Sequence, residues 1–352
     1  MAEDTKSIAD QLAQLYHTDT KGERRWLSYH LADDAVTPFG KQLLVALAVI
    51  EQRLPHAGTQ LVRELADIRY VPTADDRSAW QAGFEQLVQK FAEILVARVL
   101  LEAEWPAGTI FAFEPLNPVT GARPEILIDT PDRQWLFEVK CPAFIDYQMR
   151  RAMNGKQLPV RGPLGALPGM REGATLPRDN VFKDFLASAE RKFTGFTAKD
   201  RTGILVVVWD GYMFEATSAL SHAEAGLLTE NSWHVDAGAR VAFEAVDGVI
   251  VLNHLEILKV AAQGKFKPRR EDAFTIGGDG QPPNVWCPNL GRGDIDPHIA
   301  KVFDASHFEG VAMAAEYAPM DFVTWIDPDA ASRVAGRRRR RTALLNGAAR
   351  MS

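Results

Sequence analysis

Residues 124–141, PEILIDTPDRQWLFEVKC, constrain the fold more tightly than any other stretch of the chain. Two runs of alternating character flank Thr130-Pro131-Asp132-Arg133, with Pro131 where a type I turn favours it. That pattern reads as a β-hairpin. A turn at this point sets Ile126 across from Phe137, Ile128 across from Trp135 and Glu125 across from Glu138. Side chains alternate along a strand. Ile126, Ile128, Trp135, Phe137 and Val139 therefore form one apolar face, suited to a core. Glu125, Leu127, Leu136, Glu138 and Lys140 form the other.

The second face raises an electrostatic problem. Residues directly opposite in an antiparallel pair have Cβ atoms about 4.5–5.5 Å apart, and like charges so placed cost up to about 1 kcal/mol. A divalent cation between the carboxylates reverses the sign, because Mg²⁺ takes oxygen ligands from one or two carboxylates and keeps several waters. Lys140, two residues past Glu138 on the same face, is suited to hold a water or a phosphate oxygen beside such an ion. Solvated glutamates neutralised by Lys140 are the plainer alternative.

The flanking sequence places this hairpin in an α/β setting. SIADQLAQLYH and PFGKQLLVALAVIEQRL carry apolar residues at helical spacing, and residues 1–80 are expected to be helical. A long amphipathic helix follows. Its apolar face holds Phe84, Leu87, Val88, Phe91, Leu95 and Val99, with Gln89 and Glu93 away from it, and Pro106 and Gly108 end it. TIFAFEPL reads as a strand. Residues 149–180, rich in Pro and Gly, read as a long loop. NVFKDFLASAERKFTGF reads as a helix capped by Asp179 or Asn180. GILVVVWDG is a continuous apolar run, the mark of a strand buried on both faces, and GVIVLNHL is expected to be another. This order predicts a mixed central sheet flanked by helices over residues 81–260. Residues 261–330 read as an extension with no assignable role, and 331–352 as a basic tail expected to be disordered.

Composition narrows the class. The chain has 352 residues, 46% hydrophobic and 24% charged, enough for a sizeable core. Two cysteines, Cys141 and Cys287, exclude a disulfide framework or a four-cysteine zinc site. Cys141 follows the apolar face and reads as core, not nucleophile. His222 and His234 lack metal-ligand spacing. No apolar run reaches the roughly 20 residues of a membrane span, and the N-terminus has no signal-like apolar segment. A cytoplasmic location is expected. The net charge of −6 conceals an asymmetry: Arg333, Arg337 to Arg341 and Arg350 sit in a tail without an acid, and removing them takes the balance to −13. An anionic partner, most simply nucleic acid, suits such a tail.

The sequence Pro124-Glu125, then Glu138-Val139-Lys140 on the next strand, resembles the PD-(D/E)XK nuclease superfamily. The element order around the hairpin is also similar to that family's core, over residues 81–210. The first acid is Glu125, where the family more often has Asp. The resemblance implies a restriction-endonuclease-like core and metal-dependent phosphodiester hydrolysis, most simply by a DNA endonuclease in DNA processing or defence. It implies that Glu125 and Glu138 bind Mg²⁺ or Mn²⁺, with the Val139 carbonyl as a further ligand, and that Lys140 orients the attacking water and stabilises transition-state charge. It also implies an acid from the preceding helix, with Glu93 the candidate and Glu85 the alternate. Lys192 stands where the family sometimes has an auxiliary Lys or Gln, and otherwise reads as a surface lysine. Arg150, Arg151, Lys156, Arg161 and Arg171 are candidates for contact with the nucleic-acid backbone. An inactive nuclease fold that binds nucleic acid or a protein, an RNase, and a partner-recruiting C-terminal half remain open, as does a homodimer. Truncation at residue 331 is expected to weaken DNA binding alike for all sequences and to flatten the slope of log K against log salt. Binding titrations at several salt concentrations check this, and an unchanged slope removes the tail from the binding surface.

Overall fold

The computed structural model describes residues 2–310, apart from 22–24, 33–35, 69–76, 154–155, 158–173, 176, 198–199, 211–212, 224, 238, 264–271 and 278–282. Four helices open the chain: α1 (Ala2–Thr20), α2 (Trp26–His30), α3 (Pro38–Arg53) and α4 (Ala57–Asp67). Thr37 caps α3 by accepting from the Gly40 amide, with Pro38 at the first helical position, where a missing N–H costs nothing. Helix α5 (Arg77–Glu102) leads into the antiparallel meander β1 (Ile110–Phe113), β2 (Ile126–Asp129) and β3 (Gln134–Lys140). Then come α6 (Phe144–Met153), a small parallel pair β4 (Lys156–Gln157) and β5 (Ala174–Thr175), α7 (Phe182–Phe193) and β6 (Arg201–Trp209). Helix α8 (Met213–Ser221) precedes a short ribbon of β7 (Val235–Asp236) and β8 (Ala239–Arg240). Strand β9 (Gly248–Asn253), α9 (Leu255–Ala262), β10 (Asn284–Pro288), α10 (Pro297–Phe303) and β11 (Ala305–His307) complete the described chain.

A mixed seven-stranded sheet, in the order β1-β2-β3-β6-β9-β10-β11, forms the centre. Strands β3, β6 and β9 run parallel to one another, and β10 turns back antiparallel to β9. The expected α/β class holds, and so does the reading of GILVVVWDG: β6 is buried from Gly203 to Trp209 because it lies at the middle of the sheet with helices on both faces. The two faces can be told apart from β3. Phe137 meets Phe303 of α10 at 6.0 Å between ring centroids, while its neighbour Glu138 meets Lys192 of α7. Successive side chains point to opposite faces, so α10 and α7 cover opposite sides of the sheet.

Several expectations are corrected. The sheet continues through β10 and β11, so the α/β core expected over 81–260 takes in part of 261–330. The opening helices share one apolar core with α5 and the sheet rather than standing apart. Phe39 of α3 lies 5.1 Å from Phe91 of α5 and 5.6 Å from Phe274, ring to ring. His30 Nε2 lies 3.0 Å from the Ala262 carbonyl. Helix α5 is buried all round from Phe91 to Arg98, not on one face, because α3, α4, α9 and β3 all pack against it. The start of the expected loop, residues 149–153, is the end of α6. Neither Asp179 nor Asn180 caps α7; both lie in a 3₁₀ turn, Arg178–Val181, that runs straight into the helix. No helix among the described residues is long and apolar enough to cross a membrane.

Arg178 fastens the carboxyl end of β6 to α8. Its guanidinium takes Asp210, at the end of β6, through two bonds of 2.5 and 2.9 Å, and also bonds Glu215 of α8. The same group lies over the rings of Phe144 (4.6 Å) and Trp209 (5.4 Å). Removing one partner from a largely buried ion cluster leaves uncompensated charge, at a cost of about 3–5 kcal/mol. Arg178→Ala is expected to lose roughly 3 kcal/mol, read as a lower midpoint in urea unfolding; an unchanged midpoint rejects the fastening role.

Candidate active site

The hairpin register is the one the sequence dictates. Asp129 pairs with Gln134, Ile128 with Trp135, Leu127 with Leu136 and Ile126 with Phe137. At the turn, the Thr130 amide donates to the Arg133 carbonyl at 2.9 Å and the Thr130 hydroxyl accepts from the Arg133 amide at 3.0 Å. The ladder ends one residue earlier than expected. Glu125 is not paired with Glu138; its amide donates to the Phe137 carbonyl at 3.0 Å, and its own carbonyl accepts from the Glu114 amide. The two carboxylates meet through a shared lysine instead.

That lysine is Lys192, in the last turn of α7. Its Nζ lies 2.7 Å from the Glu138 carboxylate and 3.3 Å from Glu125 Oε1. Lys140 Nζ approaches Glu138 Oε1 at 2.6 Å, outside hydrogen-bond alignment but well within ion-pair range. Glu138 has no exposed surface, and Glu125 is buried too. On α5, Glu93 is 6% exposed and takes Lys90 Nζ at 2.5 Å, and Lys90 reaches on to Glu64 of α4 at 2.7 Å. The result is a run of alternating charge: Glu64, Lys90, Glu93, Glu125, Lys192, Glu138, Lys140.

Burial and mutual repulsion govern the titration of this cluster. Desolvation pushes the Glu93 carboxyl up to about 7, the Glu125 charge adds to the rise, and Lys90 opposes it. Glu125 is raised as well, first by burial and then by Glu138, against the pull of Lys192 and Lys140. Burial alone would lower Lys192, but Glu138 and Glu125 outweigh it and hold the ammonium above its ordinary value.

The residues singled out in the sequence fare differently. Glu93, Glu125, Glu138 and Lys140 come together. Glu85 does not belong to the group: its Oε1 accepts from the Ile145 and Asp146 amides at 2.6 and 3.2 Å, closing the start of α6. Val139 is a ladder residue beside Val206, its side chain buried on the face opposite Glu138. Arg150 is exposed and pairs with Asp146 at 2.9 Å, and Arg151 is exposed beside it in α6. The Lys156 side chain, Arg161, Arg171 and the arginine-rich tail lie outside the described residues. Burial raises the Cys141 thiol, in keeping with a core role. Lys192 is no surface lysine. It flanks the buried stripe of α7 formed by Phe182, Leu186, Ala189 and Phe193, and helical spacing shows that much. Its partners depend on which strands α7 crosses. Lys90 had a weaker signal, its i,i+3 spacing to Glu93.

Among the described residues, no three or more His, Cys, Asp or Glu side chains are grouped as a metal-ligand set. In the cluster, Lys192 contacts both Glu125 and Glu138, and Lys90 contacts Glu93. A carboxyl whose pKa is raised by folding holds its proton in the folded state at pH values where the unfolded chain has released it. Protonation then favours folding, and that contribution is present below the unfolded value of 4.5 and is lost as pH rises through about 7. Metal-free Glu93→Gln is therefore expected to lose less stability than the parent between pH 5 and pH 8, a difference of roughly 1–3 kcal/mol in urea unfolding. Parallel pH profiles contradict the assignment.

No protein-family model, curated protein or solved structure matches this chain, which leaves its own side chains to speak for its chemistry.

Proposed function

We propose that this chain is a divalent-cation-dependent nuclease that hydrolyses phosphodiester bonds, most simply in DNA. The observation that carries the reading is the buried cluster in which Glu93, Glu125 and Glu138 converge with Lys140 and Lys192 on one end of the β2–β3 hairpin. Support also comes from the order of elements: a helix, a three-stranded antiparallel meander, the helices α6 and α7, and a strand parallel to the third. The sequence resemblance leads to that order.

The donor set fits Mg²⁺ or Mn²⁺. Both are hard ions that take carboxylate oxygens, and two carboxylates with waters suffice. Glu93 and Glu125 are held above their ordinary pKa by burial and by a neighbouring carboxylate, Glu125 in the first case and Glu138 in the second, and a cation would relieve both costs. Glu125 and Glu138 would hold the ion, with Glu93 beside them. Bound there, it would lower the pKa of a water and neutralise charge on the phosphate. Lys140 orients the attacking water and meets the charge that builds on the phosphate oxygens. In a low-dielectric site such a positioned group acts with little reorganisation. The Glu93 carboxyl, near neutrality, can hold or release a proton at the working pH.

A second reading has its own observation. Each carboxylate of the cluster already has an ammonium within ion-pair range, so its charge is balanced as it stands. That favours an inactive nuclease fold which binds nucleic acid or a protein. Cleavage separates the two. The nuclease reading expects plasmid or linear DNA to be cut with Mg²⁺ or Mn²⁺ and left intact in EDTA, and Lys140→Ala to cut at least about 100-fold more slowly. An RNA competitor tests the preference for DNA. Binding without cutting under every metal condition favours the second reading, and Lys140→Ala cutting at the parental rate removes Lys140 from the chemistry.

A further inference from the structure

The charge balance of the cluster constrains how a cation could enter it. Four acids, Glu64, Glu93, Glu125 and Glu138, are interleaved with three ammonium groups, Lys90, Lys140 and Lys192. With every group ionised the cluster carries one net negative charge. A divalent cation added to it would leave one net positive charge in a largely desolvated place. Buried charge of one sign is costly, so either an ammonium withdraws or an anion arrives with the metal.

The three lysines are not equally placed to withdraw. Lys90 is held by Glu64 and Glu93 at 2.7 and 2.5 Å, on the α4–α5 side. Among the described residues, Lys140 pairs with Glu138 and makes no ion pair with Glu125. Lys192 bridges the two carboxylates that would share the ion. Its side chain is 16% exposed, much like that of Lys140 at 17%, so what sets it apart is its contact with both carboxylates and not its exposure. Asn117, buried in the β1–β2 connection, donates from Nδ2 to the Lys192 carbonyl at 2.7 Å and to the Thr194 carbonyl at 2.5 Å. Gly195 follows at φ 102°, where a Cβ would strike Val119 and the Asn117 side chain within 2.9 Å. The end of α7 is thereby fixed, and movement is left to the four-carbon stem of Lys192.

We propose that Lys192 is a built-in counter-cation that occupies the place between Glu125 and Glu138, must withdraw for a divalent cation to enter, and then pairs with the phosphodiester anion. The inference rests on the nuclease reading for the identity of that anion. Its core, competition between the Lys192 ammonium and a metal, rests on the geometry alone. The protein without nucleic acid therefore binds metal weakly, and loss of Lys192 makes bare metal binding tighter. A residue that served only to support the site would give the opposite result.

The test uses full-length protein stripped with EDTA and titrated with Mn²⁺ alone, read by calorimetry and by the loss of the free Mn²⁺ spin-resonance signal. Lys192→Met is expected to bind Mn²⁺ at least about tenfold more tightly than the parent, since a like charge a few ångströms from the ion is removed. Lys192→Arg, which keeps the charge, stays at or below parental affinity. A second measurement needs no variant: acetylation of Lys192 in the parent, followed by mass spectrometry, should rise when Mn²⁺ is added, with Lys90 unchanged. Equal or weaker Mn²⁺ binding by Lys192→Met, or Lys192 reactivity indifferent to bound Mn²⁺, overturns the proposal. If the parent still cuts DNA with Mg²⁺ in that case, the nuclease reading survives alone. If neither parent nor Lys192→Met binds Mn²⁺, both readings fall together.

Discussion

A carboxylate with no exposed surface, set in an inner strand of a seven-stranded sheet, is the constraint on which the rest of this site depends. Glu138 occupies that position in β3, beside Leu205 of β6. A charge removed from water must be paired and hydrogen-bonded, or the fold gives up several kcal/mol. Lys140 from the same strand and Lys192 from α7 meet that need from two directions. Glu125 then enters through Lys192, and Glu93 through its repulsion with Glu125. Each added acid draws in another ammonium, until the run reaches Glu64 on α4.

This arrangement gives the N-terminal helices a part in the site. They could have been a separate module, yet α4 supplies the acid that holds Lys90, and α3 and α4 both pack against α5, the helix that carries Glu93. The described residues just after 260 add to this packing: His30 bonds the Ala262 carbonyl, Gln42 accepts from the Ala273 amide at 3.0 Å, and Arg98 of α5 pairs with Asp272 at 2.6 Å. Phe39 of α3 and Phe274 both pack on Phe91 of α5, the helix that carries Glu93. Buried ionic groups rarely add net stability. Their concentration at one end of the hairpin, with two carboxyls displaced upward by burial and by neighbouring carboxylates, is the observation on which the proposed function rests.

The sequence by itself determined the hairpin, its register from Ile126 to Gln134, and a mixed sheet with one strand buried on both faces. Alternation in residues 124–141 leaves one pairing that buries Ile126, Ile128, Trp135, Phe137 and Val139 together, because a one-residue slip would turn them all to the other face. The continuous apolar run of β6 admits no exposed face. These are local signals, carried by side chains close together in the chain. Only the tertiary structure decided that the polar face of the hairpin is buried as well, that Glu125 leaves the ladder at Phe137, and that Lys192 joins the two acids. Those outcomes depend on where α7 crosses β3 and on how Asn117 pins its end, contacts between residues some 50 to 80 positions apart. Periodicity tells a helix which face to bury. It does not say which charge the edge of that face will meet, because that is fixed by packing between elements rather than along one.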